Sequence, residues 1–377
     1  MAYSTGDAIL DDHYNGFATS VNALWGSGSG DSGYGNTTTT VAAVDTSTTV
    51  QATQWNTLFA RTTSMASHQN TSITSVSDVS TGDVIRAIAA VSTNIAAITT
   101  NKLNVHARQS VSQATNQDNT DNFTGTLTFT FKWAWGSANQ ARYFFNLGGR
   151  LNISGTQTGH GSDTKGNEWA NLLTAAGTYQ VLAQTSGKSG GSGSANTNST
   201  NSGYHDLTAT YATAFKQFED SSPYTSSFVQ WQLRTQDSGA SVETSCTWVD
   251  AAADNTGFNK SIYNVQDIVE GTHRMTFSLE KHDTTHIADN GGSVTVTGTN
   301  SHSSDIRLKT NIEKLDVVEG LQTYSWNYKN YPDSGKFTGV MAQDLLGTQY
   351  ENALLTDANG YYKVDYNKLP VDCNKIN

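Results

Sequence analysis

The chain has 377 residues, a formal net charge of −11 at pH 7 and a charged fraction of 15%. This length predicts two or three domains. The acidic balance argues against a nucleic-acid partner, whose phosphates require a basic surface, and against binding to an anionic membrane. The sequence contains neither a run of about 18 apolar residues nor a signal-peptide pattern, so we expect synthesis in a cytoplasm and no membrane insertion.

The composition predicts a folded chain. Glycine is frequent, with 33 residues, but the chain also has 8 Trp, 16 Tyr and 13 Phe, and disordered chains contain few aromatic residues. Short polar β-strands joined by Gly, Asn and Ser turns fit this composition. Cys246 and Cys373 lie far apart and define neither a disulfide framework nor a metal-ligand spacing, so we expect free thiols.

The first 120 residues contain a degenerate repeat. "TGDAILDDHYNGF" at residues 5–17 is echoed by "TGDVI" at residues 81–85, and "QWNTLF" at residues 54–59 matches "HYNGF". Each copy opens an amphipathic helical pattern, so we expect residues 1–120 to form helical repeats that serve for attachment. The apolar face consists of Tyr14, Phe17, Val21 and Leu24 in the first copy, and of Trp55, Leu58, Thr62 and Met65 in the second.

The third copy has its own apolar seam. Val84, Ile88, Val91, Ile95 and Ile98 follow one another at 4-3-4-3 spacing, and a mostly β-branched seam of this spacing is typical of a coiled coil. Two interpretations stay open. We favour a core-facing helix in a small bundle, and the alternative is a seam for self-association.

From about residue 122 the apolar period changes to two. In "TLTFTFKWAW" at residues 126–135 every second side chain is large and apolar, which predicts a half-buried strand. Similar runs follow: "RYFFNL", "RLNISG", "TYQVLAQ", "HDLTATYATAF", "FVQWQLRT", "SVETSCTW", "RMTFSLEK" and "GSVTVTG". We expect residues 121–303 to form a central antiparallel β-sandwich. One helix at "NEWANLLTAAG" and a flexible loop at residues 185–203 interrupt it.

Gly28, Gly30 and Gly33 spell G-x-G-x-x-G, the dinucleotide-binding pattern. In that site the glycines follow a strand and open a helix whose N-terminus holds the phosphates. Here they follow a helical segment and precede "YGNTTTT", which cannot begin a helix. We therefore interpret this segment as a mobile connector and expect no cofactor.

Two further groups of residues could carry chemistry. His282 and His286 lie where a strand ends, without the helix that would place both imidazoles on one face, so we expect no metal site. Glu219 and Asp220 lie in a turn with no identifiable aromatic groove around them. A glycosidase would need the fold to bring its two acids together, which the sequence does not indicate.

The end of the chain differs from the rest in charge. Residues 305–377 carry 8 of the 22 Lys and Arg and 10 of the 33 Asp and Glu. Four blocks occur there: "SDIRLKTNIEKL" (304–315), "YSWNYK" (324–329), "GVMAQDLL" (339–346) and "GYYKVDYNKL" (360–369). They resemble the endosialidase-type intramolecular chaperone domain that closes many bacteriophage tail spikes and tail fibres. We expect a small α+β domain of this kind over residues 304–377, in a chain that is mixed but mainly β.

The resemblance implies that this domain trimerises the fibre during folding and then cuts itself off. Carried onto this sequence, the scissile bond joins Ser304 to Asp305, with Ser304 as nucleophile and Lys309 as its base. A serine hydroxyl needs such a base, and a lysine can act as one only where burial lowers its pKa well below about 10.4.

Self-cleaving members of the family continue past the fourth block into a long helix. Here "NKLPVDCNKIN" follows Tyr366, and Pro370 would stop a helix. We therefore expect the bond to stay intact, the chain not to be an enzyme, and Lys309 to be a solvated surface lysine.

Together these patterns predict a structural component of a phage tail, such as a fibre, spike or baseplate appendage of the virion. The expected partners are further copies of the chain in a homotrimer, other tail or baseplate proteins, and a host-surface glycan or protein. Two alternatives stay open: a self-cleaving or polysaccharide-degrading tail spike enzyme, and a fibre that decorates the head.

Overall fold

The computed structural model describes residues 11–376 apart from 39, 46–48, 84–87, 111–113, 120–122, 124, 161–163, 192–196, 200–201, 252–268, 304–305, 330–335, 357–360 and 372. Its α-helices are α1 (Asp11–Trp25), α2 (Ala52–His68), α3 (Ile88–Thr100), α4 (Ala138–Asn146) and α5 (Thr164–Ala176). Among the described residues, no helix has the length and apolarity needed to span a membrane.

Strands make up most of the remaining ordered structure. Those in the first half of the chain are β1 (Arg108–Ser110), β2 (Thr115–Asn119), β3 (Gly125–Trp135), β4 (Arg150–Thr158), β5 (Thr178–Val181), β6 (Gly187–Ser189) and β7 (Thr197–Ser199). Those that follow are β8 (Ala212–Phe218), β9 (Phe228–Gln236), β10 (Ser241–Asp250), β11 (Thr272–His282), β12 (Val294–Ser303), β13 (Lys309–Val318), β14 (Leu321–Tyr328), β15 (Lys336–Gly339), β16 (Leu354–Thr356), β17 (Tyr362–Val364) and β18 (Asn374–Ile376). The fold is mixed and mainly β, as the sequence predicts.

The strands form three antiparallel sheets. The first has the order β1-β11-β4-β5-β6, with β2 also paired to β11, and the second has the order β16-β17-β12-β3-β10-β9-β8-β7. The third, with the order β13-β14-β15-β18, belongs to the C-terminal part. Phe131 of β3 stacks on Phe277 of β11 with ring centroids 4.2 Å apart, and a single apolar cluster includes both sheets. The first two sheets therefore form the predicted sandwich.

Strand β3 supplies much of the sandwich core. Its alternating large side chains are at most 5% exposed, and aromatic side chains bury more apolar area than any others. They are Leu127, Phe129, Phe131, Trp133 and Trp135. On the opposite face, Thr128 is buried as well, because Lys363 of β17 donates a 2.6 Å hydrogen bond to its hydroxyl. The prediction of a half-buried strand is wrong at this position.

The segment "RYFFNL", predicted to be a strand, lies mostly in helix α4. Ser137 caps this helix by accepting a hydrogen bond from a backbone N–H of the first turn. Phe144 and Phe145 then both pack against Trp135 at the end of β3, with ring centroids 5.2 and 5.7 Å away. The cap and this packing outweigh the β-propensity of the aromatic residues.

Two other predictions for the sandwich need correction. The segment 185–203, predicted to be a flexible loop, contains β6 and β7, which pair with β5 and β8. The run at residues 205–215 becomes a strand only from Ala212. The predicted helix at "NEWANLLTAAG" is confirmed as part of α5. Among the described residues, Cys246, inside the core, and Cys373 are not joined in a disulfide.

The three N-terminal helices share a core of their own. Tyr14 of α1 contacts Trp55 of α2 edge to face, with ring centroids 5.1 Å apart. Val91, Ile95 and Ile98 of α3 are buried in the same cluster. The favoured interpretation of the third repeat as a core-facing helix is therefore confirmed, and its seam is used within the chain. Val84, the first residue of the seam, lies outside the described residues.

Asparagine side chains hold the extended segments between these helices. Asn15 donates to the carbonyl oxygen of Val44 at 2.7 Å and accepts from its N–H at 2.9 Å. Asn56, at the matching repeat position, bonds Val79 in the same way at 3.0 and 2.9 Å. One amide therefore satisfies both backbone polar groups of a residue that has no strand partner. Asn22 and Asn94 repeat the arrangement with Val41 and Thr74.

Asn56→Ala tests the contribution of one such clamp. Both backbone groups of Val79 lose their partner, so we expect the free energy of unfolding to fall by about 2 kcal/mol in urea titrations followed by Trp fluorescence. Asn104→Ala, at an exposed position after α3, is the control and should change the free energy by less than about 0.5 kcal/mol. If the two substitutions have equal effects, the hydrogen bonds between the Asn56 side chain and the backbone of Val79 do not stabilise the fold.

His68, at the end of α2, lies where the helical core meets the sandwich. Its ring is 1% exposed and lies 5.3 Å from the ring of His282, in β11. Burial, and then the nearby His282 and His286, lower the pKa of His68 to about 3. The folded protein therefore holds this imidazole in its neutral form.

This burial predicts that acid weakens the fold. Below the unfolded-state pKa of about 6.5, the unfolded chain binds a proton at His68 that the folded chain does not, so the free energy of unfolding falls as the pH decreases from about 6.5. The slope from this group is at most about 1.4 kcal/mol per pH unit. His68→Gln should flatten the pH profile by up to that amount. Asn56→Ala, which removes no titrating group, is the control and should lower the free energy of unfolding by the same amount at every pH. If wild type and His68→Gln lose stability with the same slope as the pH falls, His68 is not the source of the acid sensitivity.

Candidate functional site

The four C-terminal sequence blocks converge on one buried side chain, that of Lys309 in the first block. Lys309 begins β13 and is 1% exposed. Its Nζ lies 3.4 Å from the centroid of the Trp326 ring, in the second block, and donates to the carbonyl oxygen of Val340, in the third, at 3.2 Å. Tyr366, in the fourth block, accepts a hydrogen bond from the N–H of Val340 through its hydroxyl oxygen at 3.2 Å. Each block thus contributes a group to the same site.

Further hydrogen bonds lock the first three blocks together. The N–H of Ile306 donates to Oε1 of Gln343 at 2.9 Å. The hydroxyl of Tyr324 donates to Oδ2 of Asp344 at 2.5 Å. Burial, followed by this contact with the Asp344 carboxylate, raises the pKa of Tyr324 to about 12, so the phenol keeps its proton and the bond persists at neutral pH.

The prediction that Lys309 is a solvated surface lysine is wrong. The Trp326 face and the Val340 carbonyl oxygen replace water around its ammonium group, and both are partners that a cation prefers. A general base would have to be the neutral amine. Ser304 and Asp305 lie outside the described residues, so their part in a cleavage reaction stays a prediction. The burial of Lys309 is compatible with a structural role and with a catalytic one, so its part in a cleavage reaction also stays a prediction.

The convergence of these blocks agrees with a comparison against known families. A family model described as chaperone of endosialidase matches residues 304–351. The chain therefore carries a C-terminal region similar to this chaperone, and the match includes the first three blocks. Tyr366, from the fourth block, lies beyond the matched residues and packs against the same small apolar core as Val340 and Leu345; the four blocks together are called the chaperone-like region. No curated protein and no solved structure matches the chain.

The chaperone-like region is joined to the sandwich by backbone pairing. Strand β17 pairs with the last two residues of β12, in the register His302 to Val364 and Ser303 to Lys363. The chain leaves the second sheet at Ser303 and returns to the same strand about sixty residues later. Together with the Lys363 contact to Thr128, this pairing extends the second sheet of the sandwich.

The G-x-G-x-x-G segment has a structural role in the described fold. It follows helix α1, as predicted, and Gly28, Gly30 and Gly33 all have positive φ. Arg142 of α4 donates to two carbonyl oxygens of this segment, at 2.5 and 2.6 Å, and Asn146 donates to that of Gly33 at 3.0 Å. The interpretation as a mobile connector is therefore wrong, because the loop is the contact through which α4 joins the helical core.

His282 and His286 have separate environments. The Nε2 atom of His282 lies 3.1 Å from the carbonyl oxygen of Ile287, and burial lowers the pKa of His282. His286 instead lies against His106, with ring centroids 6.1 Å apart. Among the described residues, the side chains grouped closely enough to share a metal ion do not include these two histidines.

Glu219 and Asp220, seen in the sequence as a pair in a turn, are joined by a third acid from α5, Glu168. Burial raises the pKa of Glu219 to about 7. No sequence pattern predicts this contact, because about fifty residues separate Glu168 from the pair and only the packing of α5 beside β8 brings the three side chains together.

Lys309→Ala tests whether Lys309 is structural or catalytic. Loss of a desolvated cation–π contact, a hydrogen bond and the packed alkyl stem should lower the free energy of unfolding by about 2–4 kcal/mol in urea titrations. Lys314→Ala, at an exposed position of the same strand, should change it by less than about 0.5 kcal/mol.

Mass spectrometry of the same samples gives the second readout. The wild type and both variants should have the intact chain mass of 40.5 kDa. If the wild type instead loses the fragment that begins at Asp305, and Lys309→Ala stays intact without loss of stability, Lys309 is the base of a cleavage reaction.

Proposed function

We propose that this protein is a structural component of a phage tail (a fibre, spike or baseplate appendage) that assembles as a homotrimer through its chaperone-like region. It is synthesised in the host cytoplasm, incorporated into the virion through its N-terminal helical region, and contacts the host surface. The Ser304–Asp305 bond stays intact, so the chaperone-like region remains part of the mature appendage. The similarity of residues 304–351 to the chaperone of endosialidase supports this proposal.

The observation that carries the proposal is the location of the exposed apolar side chains. Among the described residues, the exposed large apolar side chains are Ile306, Leu315, Val317, Val318 and Leu346. All of them lie in the chaperone-like region, and Val317 is 61% exposed. Leu315, Val317 and Val318 are neighbours in β13, and adjoining exposed apolar side chains mark interaction surfaces in soluble proteins, so this strand is suited to contact another protein.

The backbone at this surface is also available for pairing. Strand β13, which carries Leu315, Val317 and Val318, is an edge strand of the third sheet and pairs with β14 on one side. The other side of an edge strand presents unpaired N–H and C=O groups that can bind another strand. Apolar side chains and an available edge together favour an assembly of identical chains, in which the same strand of each copy is covered.

The apolar seam of α3 is not available to join copies of the chain. The seam of α3 that was a candidate for self-association is buried against α1 and α2 in the same chain. The remaining partners, other tail or baseplate proteins and a host glycan or protein, would bind the surfaces of the helical region and of the sandwich.

The double substitution Leu315→Lys/Val317→Lys tests the assembly. Light scattering after size exclusion should give about 120 kDa for the wild type, three times the 40.5 kDa of one chain. The double variant should give the mass of one chain, because trimer formation would bury two added ammonium groups.

Thr295→Lys, which adds one ammonium group at an exposed position of strand β12, is the control and should leave the mass unchanged. Circular dichroism of each variant checks that the fold is kept. A wild type that elutes as a monomer at micromolar concentration, or a folded double variant that keeps the wild-type mass, would refute assembly through β13.

A further inference from the structure

A lysine and an aspartate are buried together where helix α5 packs on the second sheet. Nζ of Lys165, in the first turn of α5, lies 2.5 Å from Oδ2 of Asp250, the last residue of β10. Neither side chain has any exposure to solvent. Removing two charges from water costs free energy that their mutual attraction recovers only in part, so the pair is a costly feature of the sandwich core.

The aromatic packing of the same two elements separates this pair from solvent. Trp169 lies one helical turn after Lys165, and Trp248 lies two strand residues before Asp250, so the facing sides of α5 and β10 carry both pairs of residues. The two indole rings are stacked with centroids 5.8 Å apart. The ring of Tyr224, which is 2% exposed, has its centroid 6.0 Å from Nζ of Lys165. The ammonium and the carboxylate therefore lie side by side in an apolar layer.

The two groups also have the geometry of reactants. A carbonyl C–O bond is about 1.23 Å long, so the 2.5 Å contact places Cγ of Asp250 at most about 3.7 Å from Nζ of Lys165. Atoms poised to react lie about 3–3.5 Å apart. The Ser227 hydroxyl donates to the other carboxylate oxygen, Oδ1, at 3.5 Å and accepts from the N–H of Ala251 at 3.2 Å. A donor at Oδ1 stabilises the negative charge that develops there when Cγ is attacked.

We propose that Lys165 and Asp250 join in an isopeptide bond, a covalent cross-link between α5 and β10. Transfer of one proton from Nζ to Oδ2 gives a nucleophilic amine and a carboxylic acid, and it removes two charges from the core. The amine nitrogen attacks Cγ, the bond from Cγ to Oδ2 breaks, and Oδ2 leaves as water with a second proton from the nitrogen. The third proton stays on the amide nitrogen, so atoms and charge balance without another reactant.

Burial favours the amide over the ion pair. The amide carries no charge, and a site closed to solvent protects it from hydrolysis. Holding the two groups in contact also removes much of the entropic barrier to the reaction. Lys102 and Asp31 form an ion pair of almost the same length, 2.6 Å, but their side chains are 24% and 32% exposed. We therefore expect that pair to remain ionic, which makes it a control within the same chain.

The cross-link connects α5 to the second sheet in a way that denaturation does not undo. It joins residues 85 positions apart in the sequence. The unfolded chain therefore keeps a closed loop and has fewer conformations, which stabilises the folded sandwich. The reaction requires only the folded sandwich, so it is independent of the proposed role in a phage tail.

Mass spectrometry of the full-length wild-type protein under denaturing conditions tests the proposal. The intact mass should be lower than the mass of the sequence by one molecule of water. A tryptic digest should release Lys165 and Asp250 in one cross-linked peptide, uncut after Lys165, whose fragments locate the bond. Lys102 and Asp31 should be recovered in separate peptides. Recovery of Lys165 and Asp250 in two unlinked peptides would overturn the proposal, and so would a link from Lys165 to a different acid.

Two substitutions assign the loss of water to this pair. Lys165→Arg keeps a positive charge beside Asp250, but a guanidinium stays protonated and is no nucleophile. Asp250→Ala removes the carboxyl group. Both variants should have the mass of their sequences and give no cross-linked peptide. If Lys165→Arg loses water as the wild type does, the loss arises elsewhere in the chain and the proposal fails. Should either variant not fold, the peptide map of the wild type decides alone.

Discussion

The packing of β3 between its neighbours is the constraint on which the rest of the structure depends. Phe131 stacks on Phe277 and joins the two sheets of the sandwich, Trp135 receives the aromatic side chains of α4, and Thr128 receives Lys363 from the chaperone-like region. Only 36% of the chain is hydrophobic, so the core depends on a few large aromatic side chains. Strand β3 contacts the facing sheet, helix α4 and the chaperone-like region. A defect in β3 would therefore disturb all of these parts together.

The sequence predicted those parts of the fold where hydrophobic periodicity is strong. The alternation in β3 and the 4-3-4-3 spacing of α3 both correspond to buried faces. Prediction failed where local polar contacts decide the structure. The aromatic run of α4 has β-propensity, and the signal that it begins a helix was the capping residue Ser137. The hydrophobic pattern does not indicate that the side-chain amides of Asn15 and Asn56 bond the backbone of distant residues. The sequence repeat did show that these two asparagines occupy matching positions.

The sequence predicted which four blocks form the candidate site. It did not predict how their side chains are arranged around Lys309. The order of the four blocks indicated a chaperone-like region, and the family comparison supports that interpretation for residues 304–351. The burial of Lys309 could not be inferred from its own neighbourhood, because a lysine among charged residues in a strand normally faces water. The signal lay in the second block, where Trp326 offers the aromatic face that a buried ammonium group requires. The two blocks are separate motifs in the sequence, so the contact between Lys309 and Trp326 was not predicted.

Buried lysines are a further way in which this polar chain specifies one arrangement. Among the described residues, Lys165, Lys309 and Lys363 are each at most 6% exposed. Their hydrogen-bond partners are a carboxylate, a carbonyl oxygen and a Thr hydroxyl, which lie 85, 31 and 235 residues away in the sequence, and Lys309 also contacts the Trp326 ring. Many of the strands here are rich in Thr, Ser and Asn, so side-chain pattern alone specifies their register weakly. A shifted register would leave an ammonium group buried without its partner, at a cost of several kcal/mol. Each lysine thus penalises incorrect pairing of distant segments, and two of the three act within the chaperone-like region or between it and the sandwich.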